Sequence, residues 1–507
     1  MQETQDKSQE ARKTVTHWID GKPFEEPDVD RYGDIFDPAT GEVQGRVALA
    51  SQAVVDAAVS SGEEAFDVWG STPAPKRVRV FYNFRDLLLR HADELAALIT
   101  SEHGKTLDDA AGEGVRGRET VEVALSAPTL LKGDFSNQVA NGFDTYSLRQ
   151  PLGVCVGITP FNFPVMIPLY MSAVAIAAGN SFVLKPSEQD PSPSMFLAEL
   201  WDEAGLPPGV FNVVHGDKVA VDALLDHPRV QATSFIGSTP VARHVYQRGA
   251  ASGKRVQAFG GAKNHMVVLP DADMDQAADA LTSAAYGSAG QRCMAITTAV
   301  AVGQAGDELV EKTRERIGAL RVGIGSDPES DLGPLIRDRA RERVLSYIER
   351  GAEAGAELVV DGRAVRVEGH ENGFFVGPCL FDHVTPDMEL YQDEIFGPVL
   401  IVVRVDTFDE ALALVKSNRY GNGSAIFTRS GWAARRFQEE ATTGTVGINV
   451  PIPFPVSFYG FGGWNDSRFG DHNINADAFH FYTKPKVVTA RWQRPPAGVD
   501  MGFMRSE

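Results

Sequence analysis

Between Val154 and Phe259 the chain alternates short apolar, β-rich runs with stretches of helical spacing. Val154–Ile158, Ser181–Leu184, Phe211–Val214 and Ala232–Ile236 read as strands, with helical patterns over Pro164–Ala178, Ser192–Ala204, Val219–Leu225 and Pro240–Gly249. Near-continuous apolar strands separated by amphipathic helices predict parallel βαβ units with right-handed crossovers. A second alternation follows Cys293. It has strands at Ala299–Val302, Leu358–Val360, Val399–Val405, Ala425–Thr428 and Thr445–Val450, and helices near Asp338–Ala354 and Phe408–Ser417. Ahead of both lie helical patterns over Ser51–Trp69, Arg77–Glu102 and Asp108–Ser126. A ribbon near Phe135–Gln150 and a tail strand near Val487–Trp492 are candidates to pair with each other or with a neighbouring subunit.

Length and charge narrow the classes. A chain of 507 residues is long enough for about three domain-sized units. Its 68 acidic against 48 basic residues give a net charge of −20, which argues against nucleic acid or an anionic membrane as partner. The three cysteines, Cys155, Cys293 and Cys379, form no disulfide framework, and neither CxxC nor HExxH is present, so no metal site is expected. Met1–Trp18 carries both signs of charge without an apolar core, unlike a signal peptide. The most apolar stretch, Pro164–Gly179, is too short for a membrane span and reads as a buried helix opening with proline. The expectation is a cytoplasmic protein.

Candidate chemistry sits where the predicted strands end. Cys293, in Gly287-Ser-Ala-Gly290-Gln-Arg292-Cys293, follows an arginine whose charge favours thiolate, the nucleophilic form. The alternative is a small buried hydrophobe. No G-x-G-x-x-G follows a strand. Gly237-Ser238-Thr239-Pro240 opens a helix instead, and Ser238 suits either a phosphate or an ordinary N-cap. Asn162, in Thr159-Pro160-Phe161-Asn162-Phe163-Pro164, can donate an amide to an oxyanion or simply form a turn. Lys185-Pro-Ser-Glu188-Gln189 suits the hydroxyls of a ribose or a solvated turn, and Asp393-Glu394-Ile-Phe396 says little alone. Gly104-Lys105-Thr106 is not a P-loop, since Ile99 replaces its first glycine.

In this order and spacing, the motifs around Asn162, Lys185–Glu188, Gly237-Ser238, Arg292-Cys293 and Glu394–Phe396 resemble the aldehyde dehydrogenase superfamily over essentially the whole chain. Gly261-Ala-Lys263-Asn264-His265, Tyr420-Gly-Asn422-Gly and Gly447-Ile-Asn-Val-Pro451-Ile-Pro-Phe-Pro455 bring the chain nearest to its CoA-acylating methylmalonate-semialdehyde dehydrogenase branch. The resemblance implies an α/β fold with a Rossmann-type cofactor domain (1–134 and 152–261), an α/β catalytic domain (262–460), and small β bridging and oligomerisation segments (135–151 and 461–507). It implies Cys293 as nucleophile, with Asn162 and the Cys293 N–H as oxyanion donors. NAD contacts fall on Thr159, Phe161, Lys185, Glu188, Gln189, Ser238, Gly260, Glu394 and Phe396. Coenzyme A is the implied co-substrate, a carboxylated aldehyde the substrate, and a homo-dimer or homotetramer the assembly. Arg116 and Arg292 would clamp the substrate carboxylate, guanidinium being suited to bidentate pairing. Arg116 equally suits an i±3 pair with Glu113 or Glu119 on an exposed helix. Hydrolytic relatives carry a glutamate about where Phe259 stands, and phenylalanine cannot act as base for water. The runner-up is a non-acylating semialdehyde dehydrogenase that releases a free acid.

Overall fold

The computed structural model describes residues 13–27 and 29–492; the expectation for Met1–Trp18 and the outer ends of the predicted segments fall partly outside them. Two open sheets carry the architecture. The first has eight strands in the order Arg468–Gly470, Arg255–Phe259, Val230–Ile236, Val154–Ile158, Ser181–Lys185, Phe211–Val213, His17–Ile19, Lys22–Phe24. Its five central strands run parallel, and the outer ones are antiparallel. From Val154–Ile158 the chain steps to one side through Ser181–Lys185 and Phe211–Val213. It then returns to add Val230–Ile236 on the other side. That reversal opens a crevice at the C-terminal strand ends, where doubly wound sheets bind ligands.

The second sheet, of seven strands, uses only residues 357–448 and 264–302. Asn264–Val268 lies in its interior between Ile296–Val302 and Gly423–Phe427. The helix Met166–Ala177 is buried along its whole length, which explains its apolar composition without a membrane. Among the described residues no helix is long and apolar enough to cross one.

The ribbon pairs with the tail in one three-stranded antiparallel sheet, with Thr483 opposite Pro151 and Arg491 opposite Phe143. Two details depart from the sequence expectations. The single helical pattern over Arg77–Glu102 forms two helices, Ala74–Arg90 and Ala92–His103. His91, at φ −105° and ψ 19°, breaks helical geometry between them without a proline or glycine to mark the site. The segment after residue 460 does not serve the ribbon alone. Its strand Arg468–Gly470 extends the first sheet by pairing with Arg255–Phe259.

Candidate active site

The C-terminal ends of the first sheet and the N-terminal ends of the second enclose a cavity of about 440 Å³. From the first sheet it receives Phe161 and Asn162, which follow Val154–Ile158, then Ser238 after Val230–Ile236 and Gly260 after Arg255–Phe259. From the second come Cys293, Glu394 and Phe396. A further cavity of about 360 Å³ is lined by Arg116, Arg292, Phe163, Met294, Phe454 and, again, Cys293. Cys293 therefore sits where two chambers meet. Of the expected residues, Thr159, Lys185, Glu188 and Gln189 line neither chamber. Lys185 reaches Glu188 at 3.6 Å, and Arg337 contacts both Glu188, at 3.8 Å, and Gln189. Thr159 is buried and donates its backbone N–H to the Lys185 carbonyl at 3.1 Å.

The turn before Cys293 is held under backbone constraint. Ser288 and Ala289 adopt φ values of 53° and 50°, a region that non-glycine residues enter only when their surroundings enforce it. Gly290, at φ 72°, passes so close to the Gly397 carbonyl that a Cβ would collide with it. Beyond the turn, the Cys293 carbonyl accepts from Asn264 Nδ2 at 2.9 Å and from Asn422 Nδ2 at 3.1 Å. Asn264 Oδ1 in turn accepts the Gly423 N–H at 3.0 Å, so the starts of two neighbouring strands of the second sheet fix one residue.

The expected activation of Cys293 by Arg292 is corrected here. Burial among apolar neighbours, and then the Glu394 carboxylate, push the thiol up to about 12. Arg292 lowers it only weakly, because its guanidinium is taken up by Asp109, which also accepts the Ser288 N–H at 2.9 Å. Burial thus favours the thiol form of Cys293 at neutral pH. Glu394 is itself pushed up to about 7 by burial. It accepts the Ala262 N–H at 3.0 Å and leaves room only for glycine at position 261.

Arg116 makes the i+3 pair: Nη1 meets Glu119 at 3.0 Å. Ser238 occupies an N-cap position with Pro240 in the first turn, yet its hydroxyl makes no capping bond and faces the larger chamber. Instead Thr239 Oγ1 accepts the Gly261 N–H at 2.8 Å, tying the helix start to the glycine pair. Phe396, at φ 60°, stands edge-on to Phe161 with centroids 5.8 Å apart. Phe259 is buried in the apolar cluster that also holds Met294 and Phe461, with Cys293 packed against it.

Several residues of the site escaped the sequence reading. Asn264 and Asn422 lay inside the quoted motifs but had no assigned role. Arg343, which donates to the Glu394 carbonyl at 2.6 Å, and Lys263, which donates to the Asp393 carbonyl at 2.8 Å, hold the acidic loop from helix and strand. Lys105, set aside with the false P-loop, lies fully buried beneath Asn162. No sequence signal marks it, because Lys105 stands among Glu102, His103, Asp108 and Asp109 like an ordinary surface charge.

Chemically, the arrangement offers a thiol, an amide donor and a buried carboxylate around one chamber, with two guanidinium groups in the adjoining one. A helix start and two close-packed glycines line the larger chamber, as an extended phosphate-bearing ligand requires. The chain is similar to known proteins over nearly its whole length. The Aldehyde dehydrogenase family pattern matches residues 24–488. A malonate-semialdehyde dehydrogenase of Pseudomonas aeruginosa is 53% identical over 481 residues, covering 94% of this chain and 96% of the relative. The mitochondrial acylating methylmalonate-semialdehyde dehydrogenase of Arabidopsis thaliana is 48% identical over 96% of this chain and 80% of its own length. A Sinorhizobium meliloti 1021 protein crystallised with NAD superposes with a TM-score of 0.94 at 52% identity, covering 97% of this chain and 100% of that one. With the family matched from the first sheet through the ribbon, this chain belongs to the aldehyde dehydrogenase family.

Proposed function

We propose that the protein oxidises malonate or methylmalonate semialdehyde with NAD and coenzyme A, giving acetyl-CoA or propionyl-CoA, carbon dioxide and NADH. The observation that carries this reading is the position of Cys293 at the junction of two chambers, one of which bears Arg116 and Arg292. The names of the relatives, and the NAD bound in the Sinorhizobium protein, support the same substrate class and cofactor. The division into a cofactor unit on the first sheet, a catalytic unit on the second and a bridging ribbon is inferred with it.

The larger chamber fits a dinucleotide. Ser238 keeps a free hydroxyl at a helix start, Gly260 and Gly261 allow close backbone approach, and Glu394 stands inside. In this reading Phe161, Ser238, Gly260, Glu394 and Phe396 hold the nicotinamide half and its phosphates. Thr159, Lys185, Glu188 and Gln189 hold the adenosine end. When bound, NAD supplies the hydride acceptor. Glu188 disfavours a 2′-phosphate.

Cys293 gives up its proton to water in the chamber and its Sγ bonds to the aldehyde carbon, while Asn162 Nδ2 and the Cys293 N–H receive the oxyanion. Loss of the aldehyde hydrogen as hydride leaves a thioester on Cys293. Arg116 and Arg292 orient the substrate carboxylate. Its bond to carbon then breaks, the electron pair enters the thioester enolate, carbon dioxide leaves, and the enolate carbon takes a proton from water. Attack by the thiol of coenzyme A releases Cys293. With Phe259 where a base would be needed, no carboxylate at that position activates water.

The test is NADH formation from malonate semialdehyde, compared between NAD and NADP and between wild type and Asn162→Ala. Turnover should fall by about a hundred- to a thousandfold in the variant, as on loss of one oxyanion donor, with NADH affinity unchanged. Equal turnover in the variant, or equal use of NADP, contradicts the assignment.

A further inference from the structure

Beneath Asn162 lies an ion pair with no exposed side-chain surface on either partner. Lys105 Nζ meets Glu113 Oε2 at 2.8 Å, donates to the backbone carbonyl of Asn162 at 2.6 Å and stands 4.5 Å from the centre of the Phe163 ring. Glu113 Oε1 accepts the N–H groups of Val165 and Met166, at 2.7 and 3.1 Å. The two charges therefore grip the turn on both sides of Asn162. Lysine holds the carbonyl of the residue itself, and glutamate holds the first N–H groups of the helix that follows.

Burying two charges costs desolvation that their attraction often fails to recover, and apolar residues of the same shape commonly serve stability as well or better. What a charged pair supplies that an apolar one cannot is direction: each of its hydrogen bonds fixes a particular backbone atom. The helix Leu107–Ala124 that carries Glu113 also carries Asp109 and Arg116, at i, i+4 and i+7, on one face. Asp109 holds Arg292 and the Ser288 N–H of the Cys293 turn. Arg116 lines the smaller chamber. One helix face thus reaches both the amide that follows the first sheet and the thiol that precedes a strand of the second.

We propose that Lys105 and Glu113 are positioning residues that set the Asn162 side chain against the carbon attached to Cys293. The proposal rests on the reading of Asn162 as an oxyanion donor. A 1 Å misplacement of such a group is enough to cost about a hundredfold in rate.

The experiment is a mutant cycle on the full-length enzyme. It compares wild type, Asn162→Ala, the double variant Lys105→Met with Glu113→Gln, and all three changes together. The double variant removes both charges and so leaves no buried charge unpaired. Glu113→Gln alone, which keeps an oxygen for the Val165 and Met166 N–H groups, carries the same cycle should the double variant not fold. The readouts are the single-turnover rate of NADH formation, NADH affinity by fluorescence, and the rate of Cys293 alkylation. A positioning role lowers the single-turnover rate by about a hundredfold. NADH affinity and alkylation stay within about twofold, and the triple variant is no slower than Asn162→Ala, because both act through one contact. An undiminished rate in the clamp variants, or a further full loss on top of Asn162→Ala, overturns the proposal. A slow clamp variant beside a fully active Asn162→Ala removes the oxyanion reading and the proposal together. A crippled Asn162→Ala beside fully active clamp variants removes the proposal alone.

Discussion

At the scale of single residues the site is a set of groups held away from their ordinary ionisation. Burial raises Cys293 to about 12 and Glu394 to about 7, and the Glu394 charge adds to the effect on the thiol. Replacing Glu394 with glutamine removes that charge. Alkylation of Cys293 by iodoacetamide at pH 8 to 9 should then speed up by up to about tenfold, the change in thiolate fraction that one pKa unit makes. An unchanged rate would mean that Glu394 does not act on the thiol. The same variant has a stability signature. A carboxyl whose folded pKa lies above its unfolded value carries its full cost where it is ionised, above about pH 7. Glu394→Gln should therefore raise the melting temperature at pH 8 and have little effect at pH 4.5, and the reverse dependence would contradict the burial argument. Sequence shows Asn162 as a candidate at the end of an apolar run, Cys293 through the arginine before it, and Glu394 only through the family resemblance. It could not show the direction of their pKa shifts. The arginine beside Cys293 points to activation on paper, and only the fold brings Asp109 against that arginine.

At the scale of elements, the parallel strands were legible because both faces of each are covered, leaving short continuous apolar runs. Val154–Ile158 and Val399–Val405 have the predicted bounds. Asn264–Val268 went unread, although it is an interior strand of the second sheet. Its run opens with Asn264 and His265, both buried and hydrogen-bonded, so polarity hid a core strand. The helix Leu107–Ala124 was found, but its buried charges were not, since Glu113 looks like a surface acid until its partners are seen. Arg116 illustrates the same limit. Its pair with Glu119 is partly exposed and of the kind that contributes about 0–1 kcal/mol, so a substrate carboxylate can compete for it. Arg116→Ala should raise the Michaelis constant for malonate semialdehyde by about ten- to a hundredfold, the span of one charged hydrogen bond. The constant for propanal should stay nearly unchanged. A parallel change for both aldehydes would exclude Arg116 from carboxylate recognition.

For the whole molecule, two sheets built by different parts of the chain meet end to end, and the last strand of the first sheet is supplied from beyond the second. The ribbon stands apart from both. It exposes Phe135 and Leu148 on one face and Val487 on the other, with Phe135 65% and Val487 68% exposed, apolar side chains that a lone subunit would leave in water. We propose a homo-oligomer built through the face that carries Phe135 and Leu148, and Phe135→Asp with Leu148→Asp should move the protein toward single-chain mass in light scattering. An unchanged assembly would place the interface elsewhere. The central claim concerns the fate of the thioester, which depends on all of these parts acting together. The most direct measurement is therefore NADH formation from malonate semialdehyde with and without coenzyme A, identifying the product by mass. The account predicts coenzyme A-dependent turnover yielding acetyl-CoA and carbon dioxide. Sustained turnover to a free acid without coenzyme A would contradict it and reveal a base for water that Phe259 does not supply.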